Sequence, residues 1–418
     1  MLLFGDSAEF IPGEGDAPRP VRGGIGVAYR PSASVSNFIN LSRWVAALLV
    51  AGGHTRQLIL MDYSKLEHPS WGWKIFYFFT QLGHEAVMVF FIISGYLIGG
   101  TAIMKQRANI SFDAKDYAVH RAARIYTAYL PAVLLFGGLD LLGSYLFSGT
   151  GLYGSELHIS SMGRPANDAL GLLAFLGNLA MLQTVLVPTL GTNGPLWSLA
   201  CEWWYYCIFG AAMLAVADRR PVVRAFALGT AGLLCVLLPL EIVAWGLIWL
   251  LGAGIAVYGN SSRPKPGFWL TIPSAAAVIV VSRLSHTRTF GHQLADARFL
   301  VDLAIALAYG LVLLSMHRVD RPHPSARLNE RLAGFSYSLY LIHFPLMVFI
   351  VAFASTLLGV DFLRSPTAGG LLYILAVLTI LCLVAFAFAT TFEEQTQRVR
   401  GLLRGFPRRR GMDLASAG

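Results

Sequence analysis

Arg43 and His54 are the two residues of this sequence whose types and spacing best fit chemistry. Both lie in one apolar run, residues 37–60, which is longer than the ~20 residues that a helix needs to cross a bilayer. Eleven positions separate them, close to three helical turns, so they share one face at about 16 Å along the axis, too far for an ion pair. Charge at the centre of a membrane helix costs roughly 2.5–3.5 kcal/mol, which favours a functional role. The alternative is an interfacial arginine and a histidine hydrogen-bonded in the core.

A carboxylate with suitable neighbours lies in a later apolar run. Ser198, Glu202 and Tyr206 recur at four-residue spacing, which places them on one face of a helix. Trp197 and two further tryptophans are typical of a membrane interface. A carboxylate one turn inside the membrane needs a partner, and His54 approaches from the same side, so we predict that Glu202 contacts His54. The alternative is a glutamate neutralised by protonation or by a structural arginine.

Two arginines, Arg121 and Arg124, stand three residues apart near the start of the run 118–147. They are neighbours on one helix face, and the positive end of the helix dipole adds to their attraction for anions. Two guanidinium groups there suit a phosphorylated ligand. The alternative is simple anchoring of a membrane helix by positive charge.

Two further clusters of polar residues lie inside apolar runs. His84 and Glu85 are adjacent near mid-bilayer, which packing alone explains poorly, so His84 is a candidate for substrate contact or structural support. Ser336, Tyr340 and His343 form one stripe at four- and three-residue spacing. For this stripe we favour hydrogen bonds that hold helices together over direct catalysis.

The composition of the chain indicates which kind of fold positions these side chains. It has 418 residues, of which 56% are hydrophobic and 13% charged, against about 25% charged in a soluble domain. This composition predicts an all-α polytopic membrane protein. The net charge of +9 comes from short loops and does not indicate nucleic-acid binding. The four cysteines lie inside apolar runs and show neither disulfide nor metal-ligand spacing, so no metal site is expected.

Eleven apolar runs can be counted, and the distribution of basic residues indicates how many of them cross the membrane. If the fourth run, around residues 169–188, does not span, 24 of the 32 Lys and Arg residues lie on the side of the N-terminus and eight on the other side. This division predicts about ten transmembrane helices with both termini cytoplasmic. The segment 174–188 is then re-entrant or interfacial. We divide the chain into a flexible N-terminal tail (1–36), a transmembrane domain (37–391) and a basic C-terminal tail (392–418).

Taken together, these motifs resemble the membrane acyltransferase 3 family over roughly residues 37–391. The shared elements, in order, are Arg and His on the first helix, G-x-x-x-V-x-x-F-F-x-x-S-G-[FY]-L, Arg-x-x-Arg, W-S-L-x-x-E and S-Y-S-x-Y-L-x-H. The chain departs from the family at Ala86, where members usually carry Gly, and at Thr127, where they usually carry Pro. Members transfer acyl groups, often acetyl, to sugars of surface polysaccharides and to other acceptors.

The resemblance implies a role for each candidate residue. Acyl-CoA from the cytoplasm, acetyl-CoA above all, would be the co-substrate, with no other cofactor. Arg121 and Arg124, with Arg43, would hold its phosphates. His54 would act as a general base or carry the acyl group, with Glu202 orienting the imidazole.

The resemblance also implies a setting and leaves alternatives. The acceptor would be a surface or exported glycan, the location the bacterial inner membrane, and the partners the lipid bilayer and the machinery of polysaccharide synthesis. Acylation of a macrolide or glycolipid stays open. So does a different class, a proton-coupled transporter or flippase, although we find no inverted repeat.

Overall fold

Helices account for the regular structure of the described chain. The computed structural model describes residues 31–154, 165–285 and 298–405, and no strand occurs among these residues. Its helices are α1 (Ala33–Ile59), α2 (Trp71–Thr80), α3 (Gly83–Ser94), a π-helical segment (Gly95–Gly100), α4 (Thr101–Arg107), α5 (Ala114–Leu146), α6 (Leu172–Leu179), α7 (Leu196–Ala217), α8 (Pro221–Leu237), α9 (Leu240–Gly259), α10 (Phe268–Ser285), α11 (Arg298–Met316), α12 (Ala326–Ala333), α13 (Ser336–Leu358), α14 (Ala368–Thr391) and α15 (Thr396–Arg404).

Both predicted tails lie partly outside the described residues, which begin at 31 and end at 405. Within them, α1 already begins at Ala33, inside the range assigned to the N-terminal tail. The first part of the assigned C-terminal tail forms α15, which packs against α5 through an ion pair of Arg404 with Asp116.

Eight helical stretches of the described chain are long and apolar enough to cross a membrane. Two shorter apolar helices, Pro221–Leu237 and Phe268–Ala277, accompany them. The protein is therefore an all-α, multi-pass membrane protein, as predicted. The figure of ten crossings requires both shorter helices to span and stays a prediction.

The bundle has two chemically different ends. We call the end that carries the connections 108–113, 218–220, 260–267 and 317–325 the basic end, and the opposite end the far end. At the basic end, the start of α1 meets the chain that follows α11, since the N–H of Ala33 donates to Asp320 at 3.0 Å. At the far end, the turn after α1 lies against Arg364, whose carbonyl accepts from the N–H of Met61 at 3.0 Å.

The fourth apolar run does not form a spanning helix. It contains α6, whose eight residues extend about 12 Å, far less than the ~30 Å hydrocarbon core. Irregular chain follows from residue 180 to residue 195. This agrees with the re-entrant or interfacial segment predicted from charge.

Buried side chains form hydrogen bonds that hold this segment and pair its backbone groups. Irregular chain at membrane depth requires such partners. The Asn178 side chain bonds three backbone groups of the segment at 2.8–3.1 Å. Gln183 donates to the Tyr129 hydroxyl at 3.3 Å. Asp140, 1% exposed, accepts from both the N–H and the hydroxyl of Thr192 at 2.8 Å. Side chains of α5 thus hold the segment against the bundle.

We expect Asp140→Ala to loosen this segment and lower the stability of the protein. The change leaves the buried N–H and hydroxyl of Thr192 without an acceptor, at about 1–3 kcal/mol for each unsatisfied group. Thermal unfolding of the purified protein, followed by tryptophan fluorescence, should show a lower Tm. Ser144→Ala is the control, because its exposed hydroxyl bonds only the carbonyl of Leu141. Equal Tm values for both variants would contradict this role of Asp140.

Small residues bring α3 and its π-helical continuation against α9. A methyl group in place of the Gly95 hydrogen would collide with the carbonyl of Trp249, and one at Gly100 would collide with Ala256. The close approach lets the Trp249 indole donate to the Ser94 hydroxyl at 3.0 Å. Single-turn π-helical segments of this kind often occur at functional sites.

Candidate active site

Arg43 joins α1 to the start of α13. Its guanidinium donates to the carbonyl of Ala333 at 2.9 Å and to the Ser336 hydroxyl at 3.3 Å, and the residue is 4% exposed. The carbonyl belongs to the C-terminal end of α12, where the helix dipole also favours a cation. Arg43 is thus held in a fixed position inside the bundle.

His54 contacts the second histidine of the sequence motifs, His343 on α13. His54 Nδ1 lies 2.9 Å from His343 Nε2. The two rings are parallel to within 2° with centroids 5.2 Å apart. A nitrogen-to-nitrogen distance so much shorter than the centroid distance places the rings edge to edge in one plane, which is the geometry of a direct hydrogen bond and not of a face-to-face stack.

The surroundings of His343 decide which nitrogens of the pair carry protons. His343 Nδ1 lies 2.8 Å from the carbonyl oxygen of Tyr340, which only accepts, so Nδ1 must be the protonated nitrogen. In the neutral ring Nε2 then accepts, and His54 Nδ1 donates to it. This leaves His54 Nε2 with an unprotonated lone pair. His343 is fully buried, whereas His54 keeps part of its surface accessible.

The predicted contact between Glu202 and His54 is wrong. Glu202 accepts a hydrogen bond from the hydroxyl of Tyr206 on its own helix, and the side-chain hydrogen bond of His54 goes to His343. The spacing of Ser198, Glu202 and Tyr206 does put them on one face of α7, as expected, but that face lines a cavity. The contact was predicted from the depth that the sequence suggests for Glu202. The rotation of α7 about its axis, which decides where Glu202 points, does not follow from the sequence.

A cavity lies between α1, α3, α5, α7 and α13, and its empty space of about 700 Å³ includes its opening to solvent. Two cations and one carboxylate, Arg43, Arg124 and Glu202, face it together with hydroxyl groups and apolar side chains. Its lining residues are Arg43, Val87, Phe90, Phe91, Ile93, Arg124, Ile125, Ser198, Leu199, Glu202, Tyr206, Ser336, Tyr337 and Tyr340.

The cavity ends one side chain short of the histidine pair. The hydroxyls of Ser198 and Tyr340 are 2.6 Å apart and link α7 to α13 at this point. The ring of Tyr340 lies 5.9 Å from that of His343. The stripe of Ser336, Tyr340 and His343 therefore bonds α13 to neighbouring helices at all three positions, as favoured from sequence, and also borders the cavity.

Arg121 and Arg124 have different surroundings although they share a face of α5. Arg124 forms an ion pair with Glu393 at 2.9 Å. Glu393 is 4% exposed, and its other oxygen accepts from the hydroxyl of Ser338 at 2.7 Å. Sequence reasoning missed Glu393, which it had assigned to the tail, because no local pattern connects it to residue 124.

Arg121 lies between two aromatic rings. Its guanidinium carbon is 5.8 Å from the ring centroid of Tyr117 and 5.8 Å from that of Tyr206. Within the described part of the chain it has no carboxylate partner at ion-pair distance. Among the described residues, therefore, no acid compensates the charge of Arg121, unlike that of Arg124.

His84 stands apart from the His54–His343 pair and has its own partner. Its Nε2 lies 2.9 Å from a carboxylate oxygen of Asp302, a residue of α11 that sequence reasoning also missed. Asp302 could have been noticed in the sequence, because it is an acidic residue inside the apolar run 298–316.

A family model described as an acyltransferase domain matches residues 36–390. This range and the resemblance derived from the motifs, over roughly residues 37–391, agree closely. No curated protein and no solved structure matches the chain.

Proposed function

Since the chain belongs to the acyltransferase domain family over residues 36–390, we propose that this membrane acyltransferase moves an acyl group from cytoplasmic acyl-CoA to a hydroxyl of a surface or exported glycan. Acetyl-CoA is the proposed donor. The observation that carries the proposal is the cavity lined by Arg43 and Arg124 that ends at Tyr340, beside the His54–His343 pair, whose unprotonated lone pair lies on His54 Nε2.

Charge at the basic end supports a phosphorylated donor. Arg121, flanked by aromatic rings and without an acidic partner among the described residues, is the cation best placed to bind a phosphate. Arg124 is already compensated by Glu393 and serves in this proposal to shape the cavity. The flexible arm of coenzyme A would extend through the cavity past Arg43 toward Tyr340 and the histidines.

His54 supports two routes for the transfer itself. As a general base, Nε2 takes the proton of the acceptor hydroxyl while its oxygen attacks the thioester carbon. As a nucleophile, Nε2 attacks the thioester carbon, the carbon–sulfur bond breaks, and the acyl group then passes from the imidazole to the acceptor. In both routes His343 holds the tautomer and ring orientation that keep Nε2 available.

We place the protein in the bacterial inner membrane, and the division of basic residues supports an orientation with both termini cytoplasmic, so that the basic end faces the donor. A macrolide or glycolipid as acceptor would use the same machinery. A proton-coupled transporter would also place ionisable groups in the membrane, but the family is one of acyl transfer.

The test is donor consumption by purified protein in lipid nanodiscs. We expect the wild type to bind acetyl-CoA and hydrolyse it slowly, and Arg121→Gln to raise the donor KM roughly 10- to 100-fold with little change in kcat. A phosphate contact made equally in ground and transition states has this effect and contributes about 1.5–3 kcal/mol. Arg124→Gln should instead lower the Tm, because it leaves the buried Glu393 without its cation.

Arg220→Gln is the matched control, since Arg220 is exposed and pairs only with the nearby Asp218. A wild type that neither binds nor consumes acetyl-CoA would contradict the proposed donor. If the donor KM of Arg121→Gln is unchanged, Arg121 does not bind the donor and its charge serves only to anchor the helix.

A further inference from the structure

A second imidazole–acid pair lies where α3, α7, α9 and α11 approach the far end. His84 Nε2 is 2.9 Å from one oxygen of Asp302, and the other oxygen accepts from the indole N–H of Trp245 at 3.0 Å. Asp302 is 2% exposed and the side chain of His84 is 23% exposed. We call His84, Asp302, Trp197 and Trp245 the vestibule.

The vestibule leaves one nitrogen of His84 available. Because a carboxylate accepts, Nε2 of the neutral ring carries the proton and Nδ1 keeps its lone pair. Within the described chain Nδ1 has no hydrogen-bond partner, and the side chain is partly exposed. An imidazole held by a carboxylate on one nitrogen, with the other nitrogen accessible, is the arrangement of a general base.

Aromatic rings surround this base. The indoles of Trp197 and Trp245 lie 5.0 Å apart, and the ring of His84 is 6.3 Å from the first and 6.1 Å from the second. Both tryptophans are partly exposed. Flat aromatic faces bind the C–H faces of a sugar ring, and neighbouring polar atoms bind its hydroxyls. The chemistry of the vestibule therefore matches a sugar better than an aliphatic or an anionic ligand.

His84 of the vestibule lies on α3, which packs directly against the part of α1 that carries His54. A methyl group at Gly53, next to His54, would be 2.6 Å from the carbonyl of Thr80, just before α3. A methyl group at Gly83, next to His84, would be 3.8 Å from Val50, one turn before His54. The two histidines thus stand on neighbouring helices, with His84 about one helical turn nearer the basic end than His54.

One aromatic contact separates the vestibule from the cavity. The ring of Phe91, which lines the cavity, meets the indole of Trp197 edge to face at 6.2 Å. The donor cavity and the vestibule therefore approach each other from opposite ends of the bundle, with Ser198 and Tyr340 at the end of the cavity.

If His54 carries the acyl group, the reaction needs a second base to accept the proton of the acceptor hydroxyl. Acylation would occupy His54 Nε2, while Nδ1 is hydrogen-bonded to His343. Neither nitrogen of His54 could then accept the proton of an incoming hydroxyl. His84 has an accessible nitrogen for this proton, and Asp302 would stabilise the imidazolium that forms.

We propose that the vestibule is the acceptor site, in which a sugar ring lies against Trp197 and Trp245 and His84 Nδ1 takes the proton of its reacting hydroxyl. The hydroxyl oxygen forms a bond to the acyl carbon. Because His54 carries the acyl group on this route, the bond from that carbon to His54 Nε2 breaks with its electron pair on the nitrogen. The proton held by His84 then passes to solvent. Asp302 is a positioning residue. This inference rests on the proposed function.

The test uses wild-type protein and variants in nanodiscs, with acetyl-CoA labelled in the acetyl group as donor and octyl β-glucoside below its micelle concentration as acceptor. We expect His84→Gln and Asp302→Asn to lower acetylation of the sugar about 10²-fold. Glutamine at 84 can still donate to Asp302, which protects the fold. Donor affinity and Tm should stay within error of the wild type, because neither residue lines the donor cavity.

A third variant separates chemistry from binding. Trp245→Phe keeps an aromatic face but removes the N–H that holds Asp302, so kcat for the sugar should fall several-fold at unchanged sugar KM. His323→Gln is the control, an exposed histidine bonded to Ser325 at the basic end.

Every result of this experiment bears on one of the two proposals. Sugar acetylation within twofold of the wild type in both His84→Gln and Asp302→Asn would overturn the vestibule as acceptor site. A parallel loss of Tm and donor affinity would overturn it too, since that is a structural effect. Wild-type protein that consumes acetyl-CoA yet never acetylates the sugar would exclude a sugar hydroxyl here. Wild-type protein that does not consume acetyl-CoA would count against the proposed function instead.

Discussion

His54→Gln is expected to lower acyl transfer by about 10²–10⁴-fold, the usual cost of removing a general base. The variant keeps most of the side-chain volume, and its amide N–H can still donate to His343 Nε2 as His54 Nδ1 does. It lacks only the basic nitrogen at the position of Nε2. The protein should therefore insert, fold and bind the donor normally while transferring almost nothing.

The measurement is transfer of labelled acetyl to membrane acceptors, with expression level, Tm and donor affinity determined on the same preparations. His323→Gln makes the same chemical change at an exposed site and should behave as the wild type. Near-normal transfer by His54→Gln would return this histidine to a structural role. Label that stays on wild-type protein after brief exposure to the donor, and is absent from His54→Gln, would favour the acyl-histidine route over direct transfer.

His343→Leu should have the second-largest effect, a loss of about 10²-fold or more, because a histidine in the wrong tautomer costs up to ≈ 10⁴ in enzymes that depend on one. Leucine cannot accept the proton of His54 Nδ1, so nothing would favour the tautomer with a free Nε2. His343→Gln retains a carbonyl oxygen that can accept from His54. It should therefore keep clearly more activity than His343→Leu, although less than the wild type.

The comparison of these two variants is the decisive measurement, because both change a fully buried residue and both disturb its bond to the Tyr340 carbonyl. Transfer rates should rank wild type, then His343→Gln, then His343→Leu, at similar donor affinity. Equal rates in the two variants would mean that acceptance of the His54 proton is irrelevant. Loss in proportion to Tm would mean that His343 acts only through packing.

Several features of this protein follow from sequence because they depend on near neighbours in the chain. Hydropathy identifies the all-α membrane fold, since burying backbone in lipid leaves helices as the solution for apolar runs of this length. Helical period places Ser198, Glu202 and Tyr206 on one face, and all three line the cavity.

Which faces meet across the bundle is decided by the tertiary structure alone. His54 and His343 are 289 positions apart, and His84 and Asp302 are 218 apart, so no local period relates them. Sequence paired Glu202 with His54, whereas the structure pairs His54 with His343 and Glu202 with Tyr206. Hydropathy and charge determine how deep a residue lies, but the rotation of each helix about its axis depends on the packing of all its neighbours at once. That rotation selects the partner of His54, and with it the nitrogen that is free to react.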